Sequence, residues 1–377
     1  MIISVPKESH RHEHRVGLTP FGAARLVQQG HTVLVEKDAG LTAHFSDRDY
    51  EKAGGQIVYS AEEAYKRADL VCRVSVISSH DVDLIRPGSV ICGFLHMAVS
   101  SRQIAAQLMN LGTTLIGYEI VRNEVGNLPV LYPFSEMAGH MAIHIAAHFL
   151  QNEEGGRGVL VGNVTGVPPP TILILGAGTV GRTAARQALA CGAHVIILDA
   201  DLSKLRTLNY EFAGRAVTVT AGMEHLDKYT SIADAVIGAV LIPGARAPFI
   251  VTEAMVRDMK PGSVIIDVSI DQGGCIETSR PTTLDSPTFM IHDVVHYCVP
   301  NMTANIARTA SRALATTAIP YIVALTEKGL GRALREDAGL SAGVYLYNGQ
   351  MVNEAAGATL GFPAMPLQEL LTNDEER

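Results

Sequence analysis

The chain has 377 residues, enough for two domains with sizeable cores. With 18% charged and 47% hydrophobic residues it is too apolar to stay disordered, and a net charge of −8 gives no general field for nucleic acid or an anionic membrane. Five scattered cysteines (Cys72, Cys92, Cys191, Cys275, Cys298) form no CxxC pair and read as buried and reduced. The start lacks a signal-peptide pattern and no apolar run reaches membrane length, so a soluble cytoplasmic protein is expected.

Residues 1–130 alternate strand-like and helix-like runs. Ile2–Val5 reads as a strand, Phe21–Gln29 as a helix closed by Gly30, and His31–Glu36 as the next strand. A short helix over Ala61–Lys66, strands Leu70–Val74 and Ser89–Leu95, a helix near Arg102–Leu111 and a strand Thr114–Tyr118 follow. Strands separated by helices imply a parallel sheet with right-handed crossovers. A helix is expected over Met137–Gln151, then breaks at Gly155-Gly-Arg-Gly158 and Pro168-Pro-Pro170. A second βα series runs from Thr171 to about Asp293, with strands at Ala235–Leu241 and Ser263–Asp267. The helical stretch Ala304–Lys328 contains Pro320, where a break or kink is expected. The remaining tail is too short for its own sheet and is expected to return to the first domain. Only the short acidic end Asp374–Arg377 concentrates like charges.

The second series opens with Thr171-Ile-Leu-Ile-Leu175, then Gly176-x-Gly178-x-x-Gly181, a helix-forming stretch to Cys191, and His194-Val-Ile-Ile-Leu-Asp199. Strand, glycine turn, helix, strand and acid suit a dinucleotide. The glycines let backbone approach a pyrophosphate, and free N–H groups at the helix start hold its charge. Asp199 falls where an acid meets the ribose hydroxyls. A tight βα turn without a ligand is the less favoured reading. His140, His144 and His148 recur at i, i+4, i+8, a spacing that can bind metal. They lack the glutamate of a zincin motif and read as a packing or surface face, so no metal is expected. The alternation His10, His12, His14 reads as a solvated loop.

Pro6-Lys-Glu8, Glu13-x-Arg15-Val16 and Leu18-Thr-Pro20 resemble the start of the alanine dehydrogenase and transhydrogenase family. The resemblance continues through Gly93-Phe-Leu-His96, Pro133–Gly139, Gly155–Gly158, Gly176-Ala-Gly-Thr179 and Ile237–Gly244. It runs on through Asp271–Cys275, Ser279–Thr283 and Tyr297–Met302, nearly end to end. Ser135-Glu-Met-Ala-Gly139 resembles the alanine dehydrogenase branch; the Arg/Gln-rich segment of transhydrogenase subunits is not found. This implies an α/β chain of two Rossmann-like, doubly wound parallel-sheet domains with the active site in the interdomain cleft. Residues 1–130 with 308–377 would form the substrate domain and 131–307 the NAD-binding domain. A homo-hexamer is implied.

By this resemblance Arg15 clamps the substrate carboxylate, as a planar guanidinium can. His96 is the acid/base group, with an imidazole suited to proton exchange near neutral pH. Asp271 orients the amine or holds protons. Ser135, Gly176, Gly178, Thr179, Val180, Gly181, Asp199, Val240, Leu241 and Asn301 contact the cofactor. Lys204 reads equally as an adenine-end contact or a solvated helix lysine. Asp199 favours NAD over NADP by repelling a 2′-phosphate. Met97 and Met302 shape the apolar side of the pocket or fill core gaps.

One departure stands out. The family's Lys-Val-Lys-Glu-Pro strand end is here Arg73-Val-Ser75-Val-Ile, with Ser75 at the second lysine. Either Arg73, two residues away on the same strand face, leans in, or the substrate differs. The leading expectation is NAD-dependent oxidative deamination of a small L-amino acid and its reverse. Alternatives are opine- or saccharopine-type condensation of an amino acid amine with a 2-oxo acid, or a non-catalytic NAD-binding protein. Restoring the cation with Ser75→Lys is expected to raise oxidation of small amino acids, read as turnover or KM; no gain in either counts against this reading of the pocket.

Overall fold

The computed structural model describes residues 1–242 and 246–373. Pro243 and Gly244 of the family stretch, and the acidic end Asp374–Arg377, lie outside the described residues. The chain forms two compact units: Met1–Phe134 joined by the chain from Ala304 onward, and Ser135–Ile242 with Arg246–Thr303.

The first unit is built on a sheet whose parallel part comprises β1 (Ile2–Val5), β2 (Thr32–Glu36), β3 (Gln56–Val58), β4 (Leu70–Cys72), β5 (Val90–Gly93) and β6 (Thr114–Gly117). Their spatial order is β3-β2-β1-β4-β5-β6. The central strands are mostly apolar, as in a sheet buried on both faces; Ile3, Val33, Leu34, Val35, Leu70, Val71 and Ile91 are fully buried. Thr19 starts the first helix, Pro20–Gln28, by accepting from the Gly22 amide, with Pro20 in the first turn where no donor is lost. The tail does return to this sheet. Its strand Val344–Tyr347 pairs antiparallel with β6, and Gln350–Met351 extends the edge.

The second unit holds β7 (Thr171–Leu175), β8 (His194–Asp199), β9 (Val217–Thr220), β10 (Ala235–Gly238), β11 (Val264–Asp267), β12 (Thr288–Ile291) and β13 (Val294–Tyr297). The order is β12-β13-β11-β10-β7-β8-β9, with β12 antiparallel to β13. Both sheets therefore reverse direction once, between β1 and β4 and between β7 and β10. In doubly wound sheets the loops leaving that point diverge and open a crevice at the strands' carboxyl ends. In the first unit those loops carry Glu8, Arg15, Arg73 and Ser75; in the second they carry the glycine turn and Val240.

Several boundaries differ from those read in the sequence. Strands β4 and β10 stop at Cys72 and Gly238, before the site-bearing residues Arg73 and Val240. The helix expected from Met137 begins at Tyr132 and carries the chain from the first unit into the second. Of the break or kink expected at Pro320, the break is absent: Ala307–Lys328 is one continuous helix with Pro320 inside it. Proline removes one backbone donor, but Ala310, Leu314, Ala318, Ile322 and Leu325 are all buried along this helix, and that packing carries it through the missing bond.

Candidate active site

In the second unit the glycine turn is shaped by contacts that only glycine permits. Gly176 has φ +108°, and a Cβ there would strike the Ala239 carbonyl, so the turn lies directly against the residue after β10. A Cβ on Gly181 would strike the Gly176 carbonyl, which fixes the helix close to its strand. Gly178 differs: it is exposed, and the space where its Cβ would sit is open. It is also the cap of helix Thr179–Cys191, without a side-chain cap, so the first-turn N–H groups face a gap that a pyrophosphate can enter. Thr179 and Val180 form that first turn and are half-buried.

Asp199 ends β8 beside this turn. Its Oδ2 accepts from the Ala177 amide at 2.6 Å and Oδ1 from the Asp201 amide at 2.8 Å. A carboxylate has about four acceptor positions, so capacity remains for a ribose diol. Lys204 is exposed on the next helix, where Asp201 caps the Ser203 and Lys204 amides. The donors, open space and acid fit a nicotinamide dinucleotide.

Asp271 and Asn301 meet: the Asn301 amide donates to Asp271 Oδ1 at 2.7 Å, with Asn301 itself left-handed at φ +53°. Ser269, two residues before Asp271, accepts from the Val240 amide through Oγ at 2.9 Å. The short helical turn holding both starts at Asp267, a residue that sequence reading passed over. Asp267 ends β11 as Asp199 ends β8, which is the signal that could have found it. It is buried, and it accepts from the Ser269 amide at 3.1 Å and the Cys275 amide at 3.1 Å. Burial pushes its carboxyl above the ordinary value, against the lowering effect of these donors. Leu241 is exposed, and Ser135 is half-buried at the start of this unit.

In the first unit Arg15 is buried. Glu13 grips one edge of its guanidinium, with Nε donating to Oε1 at 2.7 Å and Nη2 to Oε2 at 2.5 Å. The Phe134 ring lies under it, with Cζ 5.7 Å from the ring centroid. Phe134 packs edge-on against Phe94 at 4.7 Å, and Phe94 stacks on the His96 ring at 6.3 Å between centroids. Arg15 and His96 thus share one aromatic wall. His96 is half-buried, and its backbone is left-handed, at φ +43° and ψ +45°. Met97 is buried, and so is Met302 in the second unit, both as core filling.

Arg73, the cation that could lean in, is held by groups of its own unit. Its side chain is buried, and all three guanidinium nitrogens are engaged within the unit. Nε donates to the Ser75 carbonyl at 2.9 Å, Nη1 to the Tyr65 hydroxyl at 2.9 Å, and Nη2 to the Val76 carbonyl at 2.9 Å. Nη1 pairs with Asp81 at 3.1 Å, and Nη2 lies 3.4 Å from Glu8. Glu8, absent from the candidates read in the sequence although it lies in the Pro6-Lys-Glu8 stretch, also accepts from the Val74 amide and the Ser75 hydroxyl. Arg73 is therefore needed to neutralise two buried carboxylates, a demand that sequence spacing does not reveal. Ser75 is buried and faces Glu8.

The histidine face is exposed at His140, His144 and His148; His140 meets Gln187, and His148 lies 3.5 Å from Glu154. Cys72, Cys92, Cys275 and Cys298 are buried free thiols. No helix among the described residues is long and apolar enough to cross a membrane.

Burial raises the Asp81 carboxyl, but the Arg73 guanidinium and bonds from Ser78 outweigh it and leave the group below its ordinary 3.8. A depressed folded-state value means that its stabilisation is present above pH 3.8 and is lost as pH falls through the lower folded value. Arg73→Met strands two buried carboxylates and is expected to cost about 3–5 kcal/mol. Urea denaturation at pH 7 and across the acid range checks this: the variant should be weaker at neutral pH and lose less on acidification, and wild-type stability in the variant would contradict the pairing.

The family description "Alanine dehydrogenase/PNT, N-terminal domain" matches residues 4–138, and "Alanine dehydrogenase/PNT, C-terminal domain" matches 142–354. The chain is 41% identical to the alanine dehydrogenase of Mycolicibacterium smegmatis, covering 96% of this chain and 98% of that one. It is 41% identical to the alanine dehydrogenase of Bacillus subtilis, covering 99% and 98%. A solved L-alanine dehydrogenase superposes with a TM-score of 0.88 at 40% identity, covering 96% of this chain and 99% of that one. A transhydrogenase from Sinorhizobium meliloti gives 0.78 at 26% identity, covering 94% and 100%. With both halves of the chain matched in order, and the stronger likeness on the alanine dehydrogenase side, the chain belongs to the alanine dehydrogenase/PNT family.

Proposed function

We propose that this chain is an NAD-dependent alanine dehydrogenase, oxidising L-alanine to pyruvate and ammonia and running the reverse reductive amination. The observation that carries this is identity of 41% to alanine dehydrogenases over nearly the whole chain. The exposed Gly178 turn and Asp199 supply a matching dinucleotide site. In this reading the first unit is the substrate domain and the second the NAD-binding domain. A cytoplasmic homo-hexamer is part of the same reading and rests on the family resemblance.

When bound, NAD supplies the acceptor for the hydride leaving the substrate Cα. The amides from Gly178 to Val180 hold the pyrophosphate at the helix start. Asp199 would accept from the ribose 2′-hydroxyl and repel a 2′-phosphate, and Val240, Leu241, Asn301 and Ser135 would be further cofactor contacts. Arg15 pairs with the substrate carboxylate, its fork fixed by Glu13 and its face by Phe134, so little entropy is lost on binding. His96 takes a proton from the water that adds to the imine, and returns a proton to the amine as the carbinolamine collapses. Asp271 accepts from the substrate amine and orients it, with its own position held by the Asn301 amide.

Ser75 is the observation that favours a second reading, condensation of an amino acid amine with a 2-oxo acid. What supports it is that the Arg73 guanidinium, the neighbouring cation, is already paired with Glu8, Asp81 and neighbouring carbonyls. The two chemistries separate in one assay. NADH oxidation with pyruvate and ammonia, and with pyruvate and a diamino acid, is followed at 340 nm. Turnover with ammonia and none beyond it with the diamino acid is the expected result. Activity only with the diamino acid overturns the alanine reading, and NAD binding without any turnover marks a non-catalytic protein.

A further inference from the structure

The backbone at His96 sits in a conformation that side-chain-bearing residues avoid. A left-handed residue other than glycine costs on the order of 1–3 kcal/mol and persists only where its surroundings hold it. The holding group here is Glu119. It lies two residues beyond β6, its side chain is buried, and its two oxygens close on the turn that carries the imidazole. Oε1 accepts from the His96 amide at 2.6 Å and Oε2 from the Leu95 amide at 3.2 Å. Two consecutive backbone donors thus converge on one carboxylate, which fixes the peptide plane immediately before the imidazole.

The carboxylate is oriented in turn from the far end of the chain. The Tyr345 hydroxyl, on the tail strand Val344–Tyr347, donates to the same Oε1 at 2.9 Å. Tyr345 is itself buried and packs so closely on β6 that a Cβ on Gly117 would collide with its ring. The tail strand is anchored there by the Gly117 amide, which donates to the Gly343 carbonyl at 2.8 Å. Burial and the neighbouring Glu119 charge push the Tyr345 phenol well above its ordinary range, so it stays a donor.

We infer that Glu119 and Tyr345 form a positioning relay for His96, through which the antiparallel tail strand sets the aim of the acid/base imidazole. The inference rests on the assignment of His96 as the proton-transfer group. A carboxylate is required at Glu119 because both its oxygens accept. A glutamine there must turn its NH2 group toward either the Leu95 amide or the His96 amide and Tyr345 hydroxyl, placing donor against donor. The His96 turn then loses one of its two anchors, and the ring leaves its productive direction. Dinucleotide binding by the glycine turn uses other contacts and is untouched.

The test compares Glu119→Gln, Tyr345→Phe, His96→Gln and the double variant Glu119→Gln/His96→Gln in the full chain. Thermal unfolding, NAD binding and the pH profile of kcat for L-alanine oxidation are measured for each. The relay requires Glu119→Gln to lower kcat at least about tenfold and displace the limb of the pH profile assigned to His96, with NAD affinity unchanged. Tyr345→Phe keeps both backbone acceptors and should give a smaller change of the same kind; it stands as the test if Glu119→Gln does not fold. In the His96→Gln background, adding Glu119→Gln should lower kcat no further, because both changes act through one group. A folded Glu119→Gln or Tyr345→Phe with wild-type kcat and pH profile overturns the relay. So does a further fall of kcat in the double variant, which marks general damage. If His96→Gln alone turns over as wild type, it is the His96 assignment that fails, and the relay with it.

Discussion

The structure depends on a property of parallel sheets. Crossovers of one hand let a chain build outward from a central strand in only two directions, and both units of this chain use both. Where the direction changes, between β1 and β4 and between β7 and β10, neighbouring strands send their loops apart. Backbone there is free of the sheet ladder and can be spent on ligands. In the second unit that point holds an uncapped helix start with an acid beside it. In the first it holds a buried arginine and a knot of carboxylates. In the proposed function the same topological feature, used twice, offers an anion a helix start in one unit and a guanidinium in the other.

The carboxylates of the first unit take unequal roles because their partners differ. Glu13 binds Arg15 along one edge and turns a flexible cation into a fixed fork. Glu8 and Asp81 instead consume Arg73, and Glu8 gathers the loop after β4 around itself. Glu119 receives two backbone amides and a phenol and so holds a left-handed turn. A buried charge is costly unless paired or hydrogen-bonded, and each of these groups is satisfied by residues distant in sequence. Charge is thus used here chiefly to hold backbone and side chains in place around a small number of groups that face the chemistry.

What could be read in the sequence follows the same division. The glycine turn, its flanking strands and Asp199 are local, spanning one βαβ unit, and their physics is visible in the residue pattern. Arg15, His96 and Asp271 are isolated residues, and only a resemblance across the whole chain singles them out. The partners of Arg73 were not legible, because strand spacing gives the face a side chain starts from, while Glu8 and Asp81 hold its guanidinium. Glu119 and Tyr345 are far apart in the chain and meet because the tail strand pairs with β6, a long-range event without a local signature. Pro320 was read from backbone chemistry alone, whereas the burial of its helix decided the outcome.

In the proposed function a single fixed guanidinium, Arg15, recognises the carboxylate of L-alanine, and the dinucleotide site stands on other contacts. The direct measurement is steady-state L-alanine oxidation by Arg15→Lys, alongside NAD binding by the same variant. Lysine keeps the charge but loses the bidentate fork and the Glu13 edge contact. A fall in kcat/KM for L-alanine of about a hundredfold or more, on the order of 2.7 kcal/mol of transition-state stabilisation, with NAD affinity unchanged, is the expected result. Wild-type kcat/KM for L-alanine in that variant would contradict it.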